Sequence, residues 1–382
     1  MRFSVDAHAI GCHLTGNEVY IRNLLHQFAR IDQENEFIAH VAMPGAELEV
    51  PSGFKTLRVS ANPYARLGID LPRQMRQERP DLLHVQYTGP LSCPVPIVTT
   101  VHDVSFLEYP QYFPRYRAMQ LRLTVERTIR KAVRVLTPSD FSRRAILNHY
   151  DLDEQKVVVV PNAVSSTFRP IEREISAALI EKKFGLRTPF VLTVGDLQPR
   201  KNHIGLLHAF EEVMRAHPSL PQHLVFVGKE TWYSKDLHRA VSRSPVANRV
   251  HFTGFVEDAD LVHFYGACDL FVFPSFYEGF GLPILEAMAC GRAVACSSST
   301  AIPEVADAAA ILFDPHSTGE MARAISDILR DPELRQRLER LGTHNATLFS
   351  WEKAARRTLE VYYEVAGGVG VSESAVKVRA TS

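Results

Sequence analysis

Short apolar runs alternate with longer segments of helical periodicity along most of the chain. Most of these runs are apolar throughout, a pattern typical of strands that are buried on both faces of a parallel sheet. Strands that alternate with helices predict an α/β fold in which helices cover both faces of each sheet. The predicted strands form two series, at residues 3–7, 37–42, 82–86, 97–101, 133–137 and 157–160, and at residues 190–195, 224–228, 250–253, 270–273, 293–296 and 310–313.

The two series predict two doubly wound, Rossmann-like domains that face each other. A segment rich in turn formers and bounded by two prolines, 161–170, marks the break between them. We therefore expect one domain over residues 1–168 and a second over 169–350. A last helix over 351–366 is expected to cross back to the first domain, and the Gly- and Ser-rich tail, 367–382, is predicted to be disordered.

Composition narrows the possible functions. The chain has 382 residues, of which 46% are hydrophobic and 23% charged, as in ordinary globular proteins. Its 43 basic and 43 acidic residues cancel, which argues against nucleic acid as a partner. The five cysteines are widely spaced and include no Cys-x-x-Cys, so we expect neither disulfides nor a zinc site. No apolar run is long enough for a signal peptide or a membrane span, and we expect a cytoplasmic protein.

The strongest candidate site follows the apolar run 270–273. Residues 277–291 read Tyr-Glu-Gly-Phe-Gly-Leu-Pro-Ile-Leu-Glu-Ala-Met-Ala-Cys-Gly. This order predicts a glycine-bearing turn and then a helix that has Pro283 at its start and Gly291 at its C-terminal end. The first amides of such a helix can bind an anion or a polar group.

Two glutamates flank this turn. Glu278 lies just before it, and Glu286 lies about one turn inside the helix, so both carboxylates can face one crevice. A carboxylate accepts two hydrogen bonds from a vicinal diol, as in ribose or a sugar ring. Together with the helix-end amides, the pair therefore suits a nucleotide sugar.

A second loop brings positive charge. Arg200 and Lys201 follow the predicted strand 190–195. The guanidinium of Arg200 can donate two parallel hydrogen bonds to a phosphate, and the ammonium of Lys201 is a positive charge on a flexible side chain. Because a diphosphate leaving group gains negative charge during reaction, two fixed cations would stabilise the transition state more than the ground state.

The segment 277–291 resembles, nearly throughout, the signature of retaining glycosyltransferases of family four, whose architecture of two Rossmann domains is called GT-B. The resemblance extends over residues 1 to about 365, with further matches at 137–142, 160–163, 194–202 and 252–256. It implies a metal-independent enzyme that moves a hexose, with retention, from a nucleoside-diphosphate sugar to a hydroxyl group. The nucleotide sugar is a co-substrate, and no cofactor or metal is implied. The first domain would be on the acceptor side, and the second would bind the donor.

The resemblance also implies roles for single residues of the signature. Glu278 contacts the hydroxyls of the donor sugar, and Glu286 binds the ribose diol. The backbone of Phe280, Gly281 and Leu282 holds the sugar and its phosphates.

Further roles lie outside the signature. Arg200 and Lys201 bind the diphosphate in place of a metal. His102, directly after the strand 97–101, lies beside the reacting end of the donor sugar, where it positions substrate and stabilises a polarised transition state.

Two backbone segments complete the implied donor site. The backbone of Gly254, Phe255 and Val256 lies along the nucleobase. Gly16 opens a helix over 17–30 and allows a phosphate to approach closely. Related enzymes often read Gly-Ile-Gly-Arg-Tyr at this point, whereas this chain reads Gly-Asn-Glu-Val-Tyr.

The signature resembles that of mannosyltransferases most, so GDP-mannose is the expected donor. A UDP-sugar with glucose, galactose or N-acetylglucosamine is the alternative, and a sugar-nucleotide 2-epimerase or a non-catalytic nucleotide-sugar-binding protein are two further ones. The expected acceptor is a glycan or lipid-linked saccharide in cell-envelope polysaccharide synthesis.

Two other patterns have competing interpretations. The pairs Asp151/Asp153 and Asp258/Asp260 have the spacing of a metal-binding motif, but neither ends a strand, and Asp258 suits a helix N-cap.

The stretch from Arg115 to Arg134 carries seven basic residues and one acidic residue. It is either a solvated helix face or a basic amphipathic helix for peripheral contact at the inner face of the membrane or with a lipid pyrophosphate acceptor.

Overall fold

A computed structural model describes residues 1–12 and 15–367. The chain divides into two compact units. The first unit comprises Met1–Asn162 and the chain from Trp351 onward, and the second comprises Ala163–Ser350. The tail for which disorder was predicted lies, from residue 368 on, outside the described residues.

The first unit is built on one seven-stranded parallel sheet. Its strands are β1 (Arg2–Asp6), β2 (Glu36–Val41), β3 (Lys55–Arg58), β4 (Leu82–Gln86), β5 (Ile97–Thr100), β6 (Arg134–Thr137) and β7 (Val157–Val159). They lie in the order β3-β2-β1-β4-β5-β6-β7, so the strand order reverses between β1 and β4. The sequence pattern missed β3, because this edge strand is short, has a basic residue at each end and buries no residue fully.

Helices lie in the connections from β1 to β2, from β3 to β4, from β5 to β6 and from β6 to β7. They are α1 (Thr15–Ile31), α2 (Pro63–Ala65), α3 (Leu71–Glu78), α4 (Ser105–Glu108), α5 (Arg115–Lys131) and α6 (Asp140–Tyr150). A π-helical turn, Arg66–Asp70, joins α2 to α3. The inner side of α5 packs on the sheet through Val125 and Ile129, which are fully buried.

The second unit contains a six-stranded parallel sheet. Its strands are β8 (Phe190–Val194), β9 (His223–Val227), β10 (Val250–Gly254), β11 (Leu270–Phe273), β12 (Val294–Ser297) and β13 (Ile311–Phe313). Their order is β10-β9-β8-β11-β12-β13, and it reverses between β8 and β11. Strand β11 shows why its run is apolar throughout, since Phe271 and Phe273 join the core on one face and Leu270 and Val272 the core on the other.

Eight helices of the described chain surround this sheet. They are α7 (Arg173–Phe184), α8 (His203–Ala216), α9 (Ser234–Ser242), α10 (Asp258–Ala267), α11 (Leu282–Ala289), α12 (Ile302–Ala306), α13 (Thr318–Arg330) and α14 (Pro332–Thr347). Short 3-10 turns precede α8 and β10, at Pro199–Lys201 and Ala247–Arg249.

The final helix, α15 (Trp351–Gly367), belongs to the first unit and packs against α1. Its Tyr362 is fully buried, and the hydroxyl of Tyr362 is 2.5 Å from Nδ1 of His84 on β4. The predicted α/β fold, with two Rossmann-like sheets and a helix that returns to the first, is therefore confirmed. Over residues 1–12 and 15–367, no helix combines the length and the apolar character that crossing a membrane requires.

Candidate active site

The strand-order reversal of the second unit brings two loops together. Strand β11 pairs with β8, while the chain continues from β8 to β9 on the other side. The loops that follow β8 and β11 therefore leave the same edge of the sheet next to each other, which is where open α/β sheets bind ligands. Arg200 and Lys201 lie on the first loop, and Glu278 lies on the second.

These three side chains form one ion cluster. Nζ of Lys201 donates to Oε1 of Glu278 at 2.7 Å, and Nη1 of Arg200 lies 3.0 Å from Oε2 of the same carboxylate. Nη1 of Arg200 also donates to the carbonyl of Tyr277 at 2.9 Å. The exposed fractions are 18% for Arg200, 11% for Lys201 and 10% for Glu278, so the cluster is largely withdrawn from water.

Burial and charge act against each other in this cluster. Burial disfavours the charged form of Glu278, but Arg200 and Lys201 outweigh it and lower the pKa of Glu278 to about 2. Burial also lowers the pKa of Lys201, an effect that Glu278 partly offsets. The carboxylate thus stays ionised at neutral pH and holds two cations close together in a site of low polarity.

Glycines make room for this arrangement. A Cβ on Gly195 would lie 3.3 Å from Cε of Lys201, and a Cβ on Gly228 would lie 2.1 Å from the carbonyl oxygen of Gly195. Both positions have positive φ, at 150° and 156°. The side chain of Asn202, itself in the left-handed region, anchors the end of the loop by donating to the carbonyl of Pro315 at 2.8 Å.

Helix α11 begins directly after the second loop. Gly281, with φ of 124°, precedes its first residue, Leu282, and the amide of Ile284 donates to the carbonyl of Gly281 at 3.0 Å. Pro283 has no amide hydrogen and the amide of Ile284 is already bonded, so within this first turn the amide of Leu282 is the donor left for a ligand. Phe280 is 6% exposed and packs on Phe349, which fixes the approach to the helix.

Glu286 lies on α11 and is only partly shielded from solvent. The hydroxyl of Tyr265 on α10 donates to Oε2 of Glu286 at 2.8 Å. Desolvation raises the pKa of Glu286 to about 7, although the hydrogen bond from Tyr265 opposes this rise. Sequence reasoning missed Tyr265, because nothing distinguishes it from the other apolar positions of α10.

The loop after β10 offers exposed backbone and an aromatic ring. Gly254 has φ of 72°, with open space where a Cβ would be. Phe255 is 41% exposed, and Nζ of Lys229 lies 4.9 Å from the centre of its ring. Val256, by contrast, is buried.

Thr300 is a second residue that the sequence did not indicate. Its Oγ1 accepts a hydrogen bond from the amide of Glu278 at 3.1 Å, so it orients the segment that carries the carboxylate. Thr300 has φ of 61°, a conformation that non-glycine residues rarely adopt and that is often found at functional sites.

In the first unit, His102 lies just beyond the end of β5. Its Nε2 is 3.0 Å from Oε1 of Gln86, and the ring of Tyr20 meets its ring edge-on at 4.8 Å. Desolvation lowers the pKa of His102 to about 4, so its imidazole is neutral at physiological pH. A neutral ring held on two sides is suited to positioning a substrate.

Gly16 is the second residue of α1 and is exposed, with nothing near the place of a Cβ. Packing within the described residues therefore does not require glycine here. The departure from the family pattern has a structural use, since Glu18 is buried, accepts from the amide of Gly11 at 3.1 Å and forms an ion pair with Arg22.

A further polar group lies at the strand-order reversal of this sheet. Asp6, the last residue of β1, is 1% exposed. Its carboxylate lies 3.0 Å from Nδ1 of His8 and 3.5 Å from Nε of Arg66. Burial opposes ionisation of Asp6, but His8 and Arg66 hold its pKa well below the usual value. The only sequence signal was an acidic residue at the end of an apolar strand.

The two Asp-x-Asp pairs have structural uses. Asp153 caps a turn by accepting from the amide of Gln155 at 2.7 Å, and Asp260 forms an ion pair with Lys183. The N-cap predicted at Asp258 is wrong, since Asp258 is the first residue of α10 and Glu257 precedes it. In the described part of the chain, no three His, Cys, Asp or Glu side chains gather as metal ligands would. Metal independence stays a prediction.

Comparisons with known proteins identify the family of this chain. Residues 14–168 match the family described as Glycosyltransferase Family 4, and residues 178–344 match Glycosyl transferases group 1. The O-antigen chain mannosyltransferase B of Escherichia coli is 34% identical over 265 residues, which are 69% of each chain. The serotype-specific mannosyltransferase WbdA of Escherichia coli is 30% identical over 273 residues, which are 69% of this chain but 33% of WbdA.

Among solved structures, Anabaena HepE in complex with UDP-glucose is similar, with a TM-score of 0.75 over 94% of this chain and 98% of HepE. The sequence identity is 20%, so this likeness concerns the fold alone. The chain belongs to the family-four glycosyltransferases and has their GT-B fold.

Proposed function

We propose that this glycosyltransferase moves a mannosyl residue, with retention and without a metal, from GDP-mannose to a hydroxyl of a glycan or lipid-linked saccharide. The reaction would serve cell-envelope polysaccharide synthesis at the cytoplasmic face of the membrane. The observation that carries the proposal is the buried cluster of Arg200, Lys201 and Glu278 at the strand-order reversal of the second unit.

The cluster suits the departure of a nucleoside diphosphate. Glu278 already holds its two cations together and burial partly desolvates them, so little reorganisation is needed when negative charge develops on the leaving group. Their positions are fixed, so they would favour the transition state over the ground state. The backbone of Phe280, Gly281 and Leu282 at the start of α11 would hold the phosphates and the sugar, and Glu278 would accept hydrogen bonds from sugar hydroxyls.

Glu286 would receive the ribose diol. The hydroxyl of Tyr265 holds one of its oxygens, which fixes the direction of the other lone pairs. Because the pKa of Glu286 is about 7, the ribose hydroxyls meet a carboxylate that is fully ionised only above neutral pH. The backbone of Gly254, Phe255 and Val256 would lie beside the base.

His102 would position substrate through its neutral imidazole. In the proposed same-face attack, the acceptor hydroxyl forms the new bond to the anomeric carbon as the bond to the diphosphate breaks. The hydroxyl proton passes to the leaving phosphate oxygen, so no protein base is required.

Mannose is favoured by the two mannosyltransferases to which the chain is 34% and 30% identical. A UDP-sugar is the alternative donor, because HepE was solved with UDP-glucose, although at 20% identity. A 2-epimerase and a non-catalytic binding protein are the alternative functions.

The test incubates the protein with GDP-mannose or with each UDP-sugar, with and without mannose-terminated oligosaccharides. Mass spectrometry follows nucleotide release and product mass, and NMR gives the anomeric configuration of the product. We expect an α-mannoside from GDP-α-mannose, formed only when acceptor is present. Turnover with a UDP-sugar but not with GDP-mannose would show that the donor is the UDP-sugar. Free or epimerised sugar formed without acceptor would indicate an epimerase. Binding without turnover would indicate a non-catalytic protein.

A further inference from the structure

The second unit has a pocket at the edge of its sheet opposite to the candidate active site. Its volume is about 380 Å³, and it lies between the turn that follows α11, the first residue of α7 and the first two turns of α14. Arg292, in that turn, precedes β12, whereas the loops that carry Arg200 and Glu278 follow β8 and β11. Because these strands are parallel, the pocket and the ion cluster lie at opposite edges of the sheet.

Three of the residues that line this pocket are arginines, Arg173, Arg292 and Arg335. Arg173 is paired with Asp269, which is buried just before β11. Over residues 1–12 and 15–367, neither Arg292 nor Arg335 forms an ion pair, and the buried Nε of Arg292 has no hydrogen-bond partner. A buried donor without an acceptor costs free energy, and a bound ion or ligand is one of the ordinary reasons for such a donor.

A carboxyl group lies among these arginines. Glu339 is one turn beyond Arg335 on α14 and is partly exposed. Burial raises the pKa of Glu339, and the nearby charges of Arg292 and Arg335 oppose this rise. The pocket therefore offers two guanidinium groups that have no ion-pair partner, beside a carboxyl group that can accept hydrogen bonds.

These groups fit a small phosphate ester. A guanidinium can donate two parallel hydrogen bonds to a phosphate, and two guanidinium groups match its double negative charge. The carboxyl group of Glu339 is an acceptor for hydroxyl groups. A pocket of about 380 Å³ has the size that binds small molecules. Glu333, which also lines the pocket, and Glu339 would repel a polyanion such as a nucleic acid or an acidic peptide.

We propose that this pocket binds a sugar phosphate, with Arg292 and Arg335 on the phosphate group and Glu339 on hydroxyl groups of the sugar. The chemical class is a phosphate monoester that carries several hydroxyl groups. The site is separate from the candidate active site, and the proposal does not depend on the transfer reaction proposed above.

The pocket adjoins the helix that carries Glu286. The amide of Arg292 donates to the carbonyl of Ala287, in the last turn of α11, at 3.0 Å. Helix α14 packs on α11, and Oγ1 of Thr343 lies 3.4 Å from the carbonyl oxygen of Met288. A ligand held by both Arg292 and Arg335 therefore ties the end of α11 to α14, and it should slow amide exchange in the last turn of α11.

The experiment is isothermal titration calorimetry of the full chain with glucose 6-phosphate, inorganic phosphate and glucose. Glucose 6-phosphate should bind more tightly than either of the other two probes, because it offers both the phosphate and the hydroxyl groups. Arg335→Gln and Arg292→Gln should each weaken its binding by about tenfold to 100-fold, the scale for hydrogen bonds to a charged group. Glu339→Ala should remove the preference for glucose 6-phosphate over inorganic phosphate.

Arg337→Gln is the matched control, since Arg337 is exposed on the same helix and does not line the pocket. It should bind glucose 6-phosphate like the parent, and circular dichroism shows whether each variant is folded. Each titration is repeated in excess GDP, because a phosphate can also bind Arg200 and Lys201. Binding in the pocket should persist under this condition.

Three results would overturn the proposal. They are no binding of glucose 6-phosphate by the parent, equal binding by Arg335→Gln and Arg337→Gln, and binding that excess GDP removes. Hydrogen exchange slowed only in the loops after β8 and β11 would likewise assign the phosphate to the candidate active site and overturn the proposal. Because binding is measured without turnover, absent transfer from GDP-mannose would count against the proposed function and not against this pocket.

Discussion

Replacing Glu278 by Gln removes one negative charge from a buried cluster and leaves the shape of the side chain almost unchanged. The carboxylate lies 2.7 Å from Nζ of Lys201 and 3.0 Å from Nη1 of Arg200. Burial alone would raise its pKa, but the two cations bring it from 4.5 down to about 2. This change corresponds to about 3 kcal/mol of stability, close to the cost of about 3–5 kcal/mol for removing one partner of a buried ion pair.

The dependence on pH follows from the direction of the change. A carboxyl group whose pKa is lower in the folded state stabilises that state fully above 4.5, and this contribution is lost as the pH falls toward 2. At pH 7 the free energy of unfolding of the second unit should therefore be about 3 kcal/mol lower in Glu278→Gln. The difference should shrink as the pH falls below 4.5.

The assay is unfolding in urea, monitored by hydrogen-exchange mass spectrometry. Peptides from β8 and β11 are measured because they report on the second unit. Glu174→Gln is the control, because it is the same substitution at an exposed residue of the same unit and should change stability by less than about 0.5 kcal/mol. Excess GDP should reduce the difference in the free energy of unfolding between the parent and Glu278→Gln, because the phosphates of GDP supply the missing negative charge. A gap below about 1 kcal/mol at pH 7, or one that does not change with pH, would refute the view that these charges are desolvated and coupled.

Three further predictions concern catalysis, donor binding and metal dependence. Lys201→Ala should lower kcat by about 100-fold, the scale for one lost partner of a developing charge; steady-state kinetics with an unchanged kcat would contradict this role. Glu286→Gln should weaken donor binding in calorimetry, yet raise the free energy of unfolding at pH 8 by up to about 2 kcal/mol. The reason is that the raised pKa of Glu286 makes its ionised form costly above about 7 and harmless below 4.5. Excess EDTA should leave transfer unchanged, and a loss of activity that Mn²⁺ restores would indicate a metal after all.

Much of the fold could be predicted from the order of apolar and polar residues. The run at 270–273 became β11, because a strand with both faces buried needs apolar residues at every position. The glycine-bearing turn and the two ends of α11 were also predictable from local backbone preferences. Gly281 and Gly291 adopt positive φ, and Pro283 favours the first turn of a helix.

Other features left little trace in the local pattern. Strand β3 is held by one neighbour at the edge of the sheet, so its residues need not be apolar. Val125 and Leu123 look alike in the sequence, yet the first is fully buried and the second is 61% exposed. The difference depends on which side of α5 meets the sheet.

The sequence by itself determined the strands of both series except β3, and the loops that carry charged residues, because these depend on neighbouring residues and on burial. Only the tertiary structure decided that Glu278 pairs with Arg200 and Lys201 and that Tyr265 holds Glu286. These partners lie far apart along the chain, and they meet because the strand order reverses between β8 and β11 and places α10 beside α11. Such contacts are set by topology, and no periodicity within a segment encodes them.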